Sequence, residues 1–247
     1  MMQLRRADYG IDAPGVVRNF IWIGVFASLV GVLLDRFLRI GSPGLARACL
    51  FIGPFVGLSF LATALVMIWG SKVGKLQLRD RLLGQIPWRG DELVLDVGCG
   101  RGLFLIGAAH KAQGGKVVGI DLWHSQDQSG NHPETARANA RAEGVEERIE
   151  LETGDARQLP FEADAFDRIV SSWAIHNIYD ANDRKTAIQE MGRALKPGGW
   201  LAIADIEHTG EYEQVLREAG MQSVRRSGPN FLFVTPTYTL VAQKPER

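Results

Sequence analysis

The sequence has few cysteines and no excess of charge of either sign. Among 247 residues there are 2 cysteines, Cys49 and Cys99, too few for a disulfide framework and without metal-ligand spacing. The 28 basic and 28 acidic residues cancel to a formal net charge of zero. The composition therefore excludes a disulfide-rich secreted scaffold, fits a reducing compartment and predicts neither a metal centre nor attraction to nucleic acid.

One glycine is also missing from the most informative motif, ELVLDVGCGRGLF at residues 92–104. An apolar strand pattern ends here at Asp96 and passes through a glycine turn into a helical pattern. A dinucleotide site needs G-x-G-x-x-G, so that a pyrophosphate reaches the helix N-terminus. Here the spacing is G-x-G-x-G, and Leu103 stands where the third glycine would be. The turn therefore argues against a nicotinamide oxidoreductase, and Asp96 suits an ammonium group better than a phosphate.

Two long uncharged runs lie near the N-terminus. Residues 19–34 are slightly shorter than the roughly 20 residues that cross a bilayer core, and residues 48–69 are long enough. They predict a membrane hairpin that spans the bilayer or dips into one leaflet. A cleaved signal peptide is less consistent, because a second, longer apolar run follows the first. Gly53 and Gly57 form a small-xxx-small pair that would let the two helices, or two protomers in a homodimer, approach closely. Pro54 between them could instead mark a kink.

The predicted domains follow from these runs. Residues 1–18 form a short, mobile, polar lead in which Pro14 and Gly15 break any helix. The membrane hairpin covers 19–70, an amphipathic juxtamembrane helix covers 71–90, and a soluble domain covers 91–247. The juxtamembrane stretch either presents its basic residues to anionic headgroups or docks on the domain. Those basic residues are Lys72, Lys75, Arg79 and Arg81, and the leucines are Leu76, Leu82 and Leu83.

Strand and helix patterns alternate after Glu92, which predicts an α/β domain with parallel strands and crossover helices. The strands are expected at 93–97, 116–121, 149–153, 166–171, 200–206, 222–227 and 237–243. The helices are expected near 102–113, 133–143, 181–195 and 211–219.

The order of these motifs resembles the class I S-adenosylmethionine-dependent methyltransferases, of the type that acts on small molecules and quinones. The resemblance covers roughly residues 75–245. It implies a Rossmann-like, doubly wound, seven-stranded sheet of order 3-2-1-4-5-7-6 with an antiparallel last strand, preceded here by two hydrophobic membrane helices. It also implies S-adenosylmethionine as methyl donor, S-adenosylhomocysteine as product and no metal.

The resemblance assigns donor contacts at successive strand ends. Asp96 and the glycine turn would hold the methionine half, and Asp121 with Leu122 the ribose. Asp155 and Ala156 would lie at the adenine, and Ser172 and Trp173 at the pocket edge. The glycines of the turn are Gly98, Gly100 and Gly102.

Candidates for the methyl-accepting side follow the fourth and second strands. His176 and Tyr179 lie in WAIHNIYD, and His124 lies in the polar stretch 123–132 after Asp121. This stretch is expected to act as a lid over the site, the alternative being a solvated surface loop. Asp205 ends the fifth strand. A base is needed only if the acceptor arrives protonated.

Three functions remain open. The first is a membrane-anchored methyltransferase of a small lipophilic or membrane-delivered acceptor, such as a quinol, a phospholipid headgroup or a thiol. The second is the same chemistry on a soluble metabolite, with the hairpin as anchor or dimerisation element, and the third is a non-catalytic donor-binding membrane scaffold.

Because the donor is cytosolic, the catalytic domain is expected to face the cytoplasm from the membrane. The absence of an Asn-Pro-Pro-aromatic tetrapeptide after the fourth strand argues against DNA or protein as substrate.

Overall fold

A computed structural model describes residues 7–123 and 131–246 of the chain. They form two compact units. The smaller unit is Ile11–Gly74, and the larger unit comprises the described residues of Met1–Gly10 and Lys75–Arg247. The chain therefore leaves the larger unit after Gly10 and re-enters it at Lys75.

The smaller unit consists of two long helices, α1 (Pro14–Leu38) and α2 (Pro43–Trp69). The prediction that Pro14 and Gly15 break any helix is wrong. Pro14 occupies the first turn of α1, where a residue without an N–H leaves no intrahelical hydrogen bond unmade. Both helices extend beyond the uncharged runs, and α2 continues into a π-helical stretch, Gly70–Gly74.

Glycines let α1 and α2 approach closely, as predicted for Gly53 and Gly57. A Cβ built on Gly31 would lie 2.7 Å from the Cα of Gly53, and one built on Gly24 would lie 2.8 Å from the carbonyl oxygen of Gly57. A Cβ on Gly57 would in turn overlap the hydroxyl of Ser28. The small residues of both helices therefore face each other within one chain, which is the packing that small-xxx-small patterns permit.

Within the described residues, two helices are long and apolar enough to cross a membrane. With 25 residues in α1 and 27 in α2, at about 1.5 Å per residue, both exceed the roughly 30 Å of a hydrocarbon core. Only 17% of the most apolar window of the first helix and 11% of that of the second are buried. Core helices of a soluble protein would be mostly buried, so the outer faces of these helices lack a protein environment.

The larger unit contains a seven-stranded sheet in the order β3-β2-β1-β4-β5-β7-β6. Strands β1 to β5 pair in parallel, and β7 pairs antiparallel with β5 and β6. The predicted Rossmann-like fold and strand order are confirmed. The strands are β1 (Leu93–Val97), β2 (Lys116–Asp121), β3 (Ile149–Thr153), β4 (Phe166–Ser172), β5 (Leu195–Asp205), β6 (Gln222–Asn230) and β7 (Thr237–Gln243).

The helices cover both faces of this sheet. Those after β1 lie close to their predicted positions, whereas the juxtamembrane helix is shorter than the predicted 71–90. They are α3 (Lys75–Leu83), α4 (Leu103–Lys111), α5 (Pro133–Ala142), α6 (Ala181–Ala194) and α7 (Thr209–Glu218). Strand β5 begins earlier than predicted, because Leu195 pairs with Phe166 and Trp200 with Arg168. Residues 196–199 therefore bulge opposite Asp167 inside the strand, with Gly198 at φ 73°.

The juxtamembrane helix α3 docks on the larger unit. Leu82 and Leu83 are fully buried in a core cluster with α4 and the sheet. Lys75 is buried as well, and its Nζ donates to the carbonyl oxygens of Tyr9 at 2.7 Å and Gly10 at 3.2 Å. Of the two alternatives predicted for this stretch, docking on the domain is the one that Lys75 follows, since its ammonium satisfies backbone acceptors inside the protein.

The predicted mobile lead is also wrong for residues 7–10. Tyr9 is buried in the same core cluster as α3 and α4, and its hydroxyl donates to Glu143 Oε1 at 2.8 Å. A buried aromatic ring anchors this short segment, which the polar composition of the lead did not indicate.

Candidate active site

A glycine turn joins β1 to α4 at the carboxyl edge of the sheet, where open α/β sheets bind ligands. The turn has positive φ at alternate residues, with 72° at Gly98, 50° at Gly100 and 85° at Gly102. Side chains would be strained in this conformation. A Cβ at Gly98 would also overlap that of Ala174, in the segment after β4. The turn is thus a bare-backbone cradle that abuts the segment carrying His176.

Asp96 is the penultimate residue of β1, just before the glycine turn, and is completely buried. Neither of its carboxylate oxygens has a hydrogen-bond partner of normal geometry in the described part of the chain. Burial, which the nearby Asp121 reinforces, raises the pKa of Asp96 to about 8. A buried carboxyl that forms no hydrogen bond of normal geometry within residues 7–123 and 131–246, beside a glycine cradle, fits the ammonium of a methionine moiety, which would satisfy it.

Asp121 ends β2 and holds the turn through its carboxylate. Oδ2 accepts the Gly100 amide at 2.8 Å, while Oδ1 accepts the Trp123 amide at 2.7 Å and Asn131 Nδ2 at 3.1 Å. The residue that the resemblance assigns to ribose is therefore already in place beside the turn. The next residue, Leu122, is exposed, so that the adenosine of a bound donor could cover its apolar side chain.

Asp155 follows β3 and is engaged by a neighbouring arginine. Arg157 donates its Nε and Nη2 to the Asp155 carboxylate and its Nη1 to Asp183 at 2.6 Å. Ala156 packs against the core beside it. An adenine contact of Asp155 stays a prediction, and any such contact would share the carboxylate with Arg157.

Ser172 ends β4, and Trp173 follows it in a left-handed conformation with φ 48°. The indole lies between two rings, edge-to-face with Phe104 of α4 at 6.2 Å and tilted against Phe233 at 4.6 Å between ring centroids. Its Nε1 donates to Thr237 Oγ1 at 3.3 Å. Trp173 therefore contacts both α4, which follows the glycine turn, and the loop between β6 and β7 with the start of β7.

A histidine and an aspartate form a dyad at the ends of β4 and β5. His176 Nδ1 lies 2.5 Å from Asp205 Oδ1, and the His176 amide donates to Asp205 Oδ2 at 3.1 Å. Asp205 is fully buried and also accepts the Ile206 amide and, at 3.3 Å, the Tyr212 hydroxyl. With Nδ1 donating to the carboxylate, the imidazole keeps its lone pair on Nε2, which is the arrangement of a general base.

Comparisons with known proteins agree with this geometry. Residues 94–199 match a family model described as a methyltransferase domain. A 27-O-demethylrifamycin SV methyltransferase of Amycolatopsis mediterranei is 30% identical over 198 residues, covering 69% of this chain and 68% of that protein. The chain belongs to the class I S-adenosylmethionine-dependent methyltransferases.

Other relatives of this methyltransferase match over a smaller part of their length. A demethylmenaquinone methyltransferase of Symbiobacterium thermophilum is 36% identical over 118 residues, covering 47% of this chain and 43% of that protein. The chain thus spans less than half of the length of some relatives. A solved S-adenosylmethionine-dependent methyltransferase from Aquifex aeolicus superposes with a TM-score of 0.54 at 21% identity, covering 70% of this chain and 93% of that chain. This last likeness shows the fold alone.

The remaining predicted residues of the methyltransferase lie as follows. Tyr179 is 99% exposed, so nothing desolvates its hydroxyl for proton transfer. His124 and most of the predicted lid lie outside the described residues. The 7–123 and 131–246 ranges contain no group of three or more potential metal ligands.

Sequence reasoning missed several contacts of the site. The sequence predicts Asp205 only as a separate candidate, although its position at a strand end on the same edge as His176 is a usable signal. Phe233, Thr237 and Arg157 have no local signal, since no pattern links the loop before β7 to Trp173 or Arg157 to Asp183.

Proposed function

We propose that this methyltransferase is anchored in a membrane and transfers the methyl group to a hydroxyl of a small lipophilic acceptor, with His176 as general base. The observation that carries the proposal is the His176–Asp205 pair at 2.5 Å, beside the segment that abuts the glycine turn. S-adenosylmethionine supplies a methyl group on a positively charged sulfur. The chain's own residues must supply the base and the contacts that bind the acceptor.

A base is useful because a neutral hydroxyl is a weak nucleophile. In the transfer, the acceptor oxygen bonds to the methyl carbon, the sulfur–methyl bond breaks, and the hydroxyl proton passes to Nε2 of His176. Asp205 holds the ring through Nδ1 and stabilises the imidazolium that forms. Three donors hold the Asp205 carboxylate in place, namely the His176 and Ile206 amides and the Tyr212 hydroxyl.

The apolar surroundings support a lipophilic acceptor. Trp173, shortly before His176 in the chain, forms an aromatic wall with Phe233. The loop between β6 and β7 that carries Phe233 also carries Phe231, which is 63% exposed. Aromatic faces of this kind offer a large apolar contact to a ring or an isoprenoid chain. An acceptor that partitions into lipid would gain from this wall, whereas a charged metabolite would not.

The apolar hairpin formed by α1 and α2 supports delivery from a membrane. Exposed aromatic residues cover its outer surface, among them Trp22, Phe26, Phe51 and Phe55. Such a surface is costly in water and favourable in hydrocarbon. Residues 75–246 would then work at the bilayer surface, where a lipophilic acceptor is concentrated.

The first test follows labelled methyl groups. Detergent-purified protein is incubated with S-adenosylmethionine labelled in the methyl group and with either a membrane lipid extract or an aqueous metabolite pool. We expect label in the lipid fraction, in a base-stable ether. Label in soluble compounds alone would contradict the lipophilic acceptor, and donor binding without any transfer would favour a scaffold.

The second test changes the base. Asn at position 176 can still donate to Asp205 but offers no basic nitrogen, so His176→Asn should lower methyl transfer by about 10²–10⁴-fold. Donor binding should change less than about twofold, because the variant leaves the glycine turn and Asp121 intact. His208→Asn is the matched control, because this half-buried histidine contacts Glu211 at the surface, and it should retain full transfer. Equal activity of both variants would sink the base assignment.

A further inference from the structure

Residues 7–10 contact the glycine turn of the proposed donor site, called the donor turn below, through one buried asparagine. Asn139, in α5, accepts the Asp8 amide at its Oδ1 at 2.8 Å. Its Nδ2 donates to the Asp8 carbonyl at 3.1 Å and to the Arg101 carbonyl at 2.9 Å. Arg101 lies inside the glycine turn, so one side chain joins the N-terminal segment to the cradle.

The Arg101 side chain provides two further contacts with the same segment. Its Nη2 lies 3.3 Å from Asp8 Oδ2. Gly10, at φ 80°, packs so closely that a Cβ there would lie 2.8 Å from Arg101 Nη1. Both the backbone and the side chain of Arg101 are therefore held by residues 8–10 or by their partner Asn139.

Buried groups of the core also hold residues 7–10 in place. The Tyr9 ring lies in the core, and burial together with the neighbouring Glu143 carboxylate raises the pKa of the Tyr9 hydroxyl, which keeps it a donor to Glu143. The buried ammonium of Lys75 bonds the carbonyls of Tyr9 and Gly10. Lys75 is where the chain re-enters the larger unit, so these bonds tie the two chain ends that flank the apolar hairpin.

We propose that residues 7–10 and Asn139 position the donor turn, so that donor affinity depends on this N-terminal segment although it lies far from the glycine motif in the sequence. The inference rests on the proposed donor site at Asp96, the glycine turn and Asp121. Asn139 is a positioning residue, because it acts through the Arg101 carbonyl.

The test measures S-adenosylhomocysteine binding by calorimetry on the full chain in detergent. Asn139→Ala removes both Nδ2 bonds and should weaken binding about tenfold, the loss typical of a buried hydrogen-bond donor. Gly10→Ala forces a side chain into a left-handed position against Arg101 and should weaken binding in the same direction. Asn182→Ala, at an exposed asparagine of α6, is the matched control and should bind as the parent chain does.

A second readout separates positioning from a merely structural role. If the segment strengthens ligand binding, the ligand must strengthen the segment by the same free energy. Hydrogen exchange at the amides of residues 8–10 in the unmodified chain should therefore slow when S-adenosylhomocysteine is added. This measurement stands even where Asn139→Ala fails to fold.

The outcomes distinguish this inference from the donor site itself. If Asp121→Ala abolishes binding while Asn139→Ala binds normally, or if exchange at residues 8–10 ignores the ligand, the positioning role is overturned. If Asp121→Ala also binds normally, the donor site is wrong and the inference falls with it.

Discussion

At the scale of single residues, the acids at the strand ends differ in what they bond. Asp96 has no partner of normal geometry within the described ranges, Asp121 bonds the backbone of the turn, and Asp205 bonds a histidine. Their chemistry differs accordingly. An unpartnered buried carboxyl is set to receive a cationic ligand, whereas a carboxylate surrounded by donors orients its neighbours.

The raised pKa of the Asp96 carboxyl predicts that Asp96→Asn increases the stability of the chain but weakens donor binding. Its pKa is about 8 in the folded chain against 3.8 for an ordinary aspartate. A raised pKa means that the folded state holds a proton that the unfolded state releases. The stability contribution is therefore complete below about pH 4 and is lost as the pH rises towards 8.

Asp96→Asn removes this titration. In the absence of donor, the variant should gain thermal stability relative to the parent chain at pH 8 and gain little at pH 4, as scanning fluorimetry can measure. Donor affinity should fall about tenfold or more, because the ammonium loses a charged partner. Unchanged donor affinity in calorimetry would remove Asp96 from the donor site.

At the scale of elements, α1 and α2 pack through glycine, and the exposed aromatic residues point elsewhere. Gly57 has Ser28 and the Gly24 carbonyl where a side chain would be, whereas Gly44, in the first turn of α2, has no heavy atom within 4 Å of such a position. The same residue type in one helix is thus indispensable at one site and replaceable at another.

Paired substitutions test this packing. Gly57→Ala should destabilise the helix pair by about 1–3 kcal/mol, since neither backbone can move without breaking other contacts. Gly44→Ala should be neutral or slightly stabilising, because alanine is the better helix former. Loss of helical circular dichroism on heating in detergent compares the two. Equal melting curves would mean that the helices do not pack through Gly57.

At the scale of the whole molecule, the chain leaves and re-enters one unit around an apolar hairpin. An even number of membrane crossings would place residues 7–10 and 75–246 on the same side. This agrees with the contacts of Lys75 to Tyr9 and Gly10. Which side that is follows only from the cytosolic origin of the donor and stays a prediction.

Membrane insertion makes a depth-dependent prediction. Phe55 lies near the middle of α2 and Phe37 near the end of α1, and both are exposed. Phe55→Lys should cost about 2.5–3.5 kcal/mol of insertion, whereas a lysine at Phe37 can reach the interface. Resistance of the full chain to alkaline carbonate extraction from membranes should fall for the first variant only. Full extraction of the unmodified chain would contradict the anchor.

Much of this protein could be predicted from the sequence because the signals are local. Hydrophobic periodicity placed every strand and helix of the sheet domain to within a few residues, apart from the bulged start of β5, and glycine spacing separated a methyltransferase from a dinucleotide enzyme. The acids at strand ends were visible because parallel strands end at one edge. These features depend on neighbours in the chain, which the sequence displays directly.

The tertiary structure alone decided the long-range pairings. Nothing local shows that Tyr9 enters the core beside α4, that Lys75 binds backbone carbonyls rather than lipid, or that Asn139 reaches the Arg101 carbonyl. The same holds for Asp205 as the partner of His176 and for Phe233 on Trp173. Local patterns predicted the elements and the class of chemistry, whereas these contacts join residues at least 29 positions apart in the chain and exist only once the sheet and its helices have assembled.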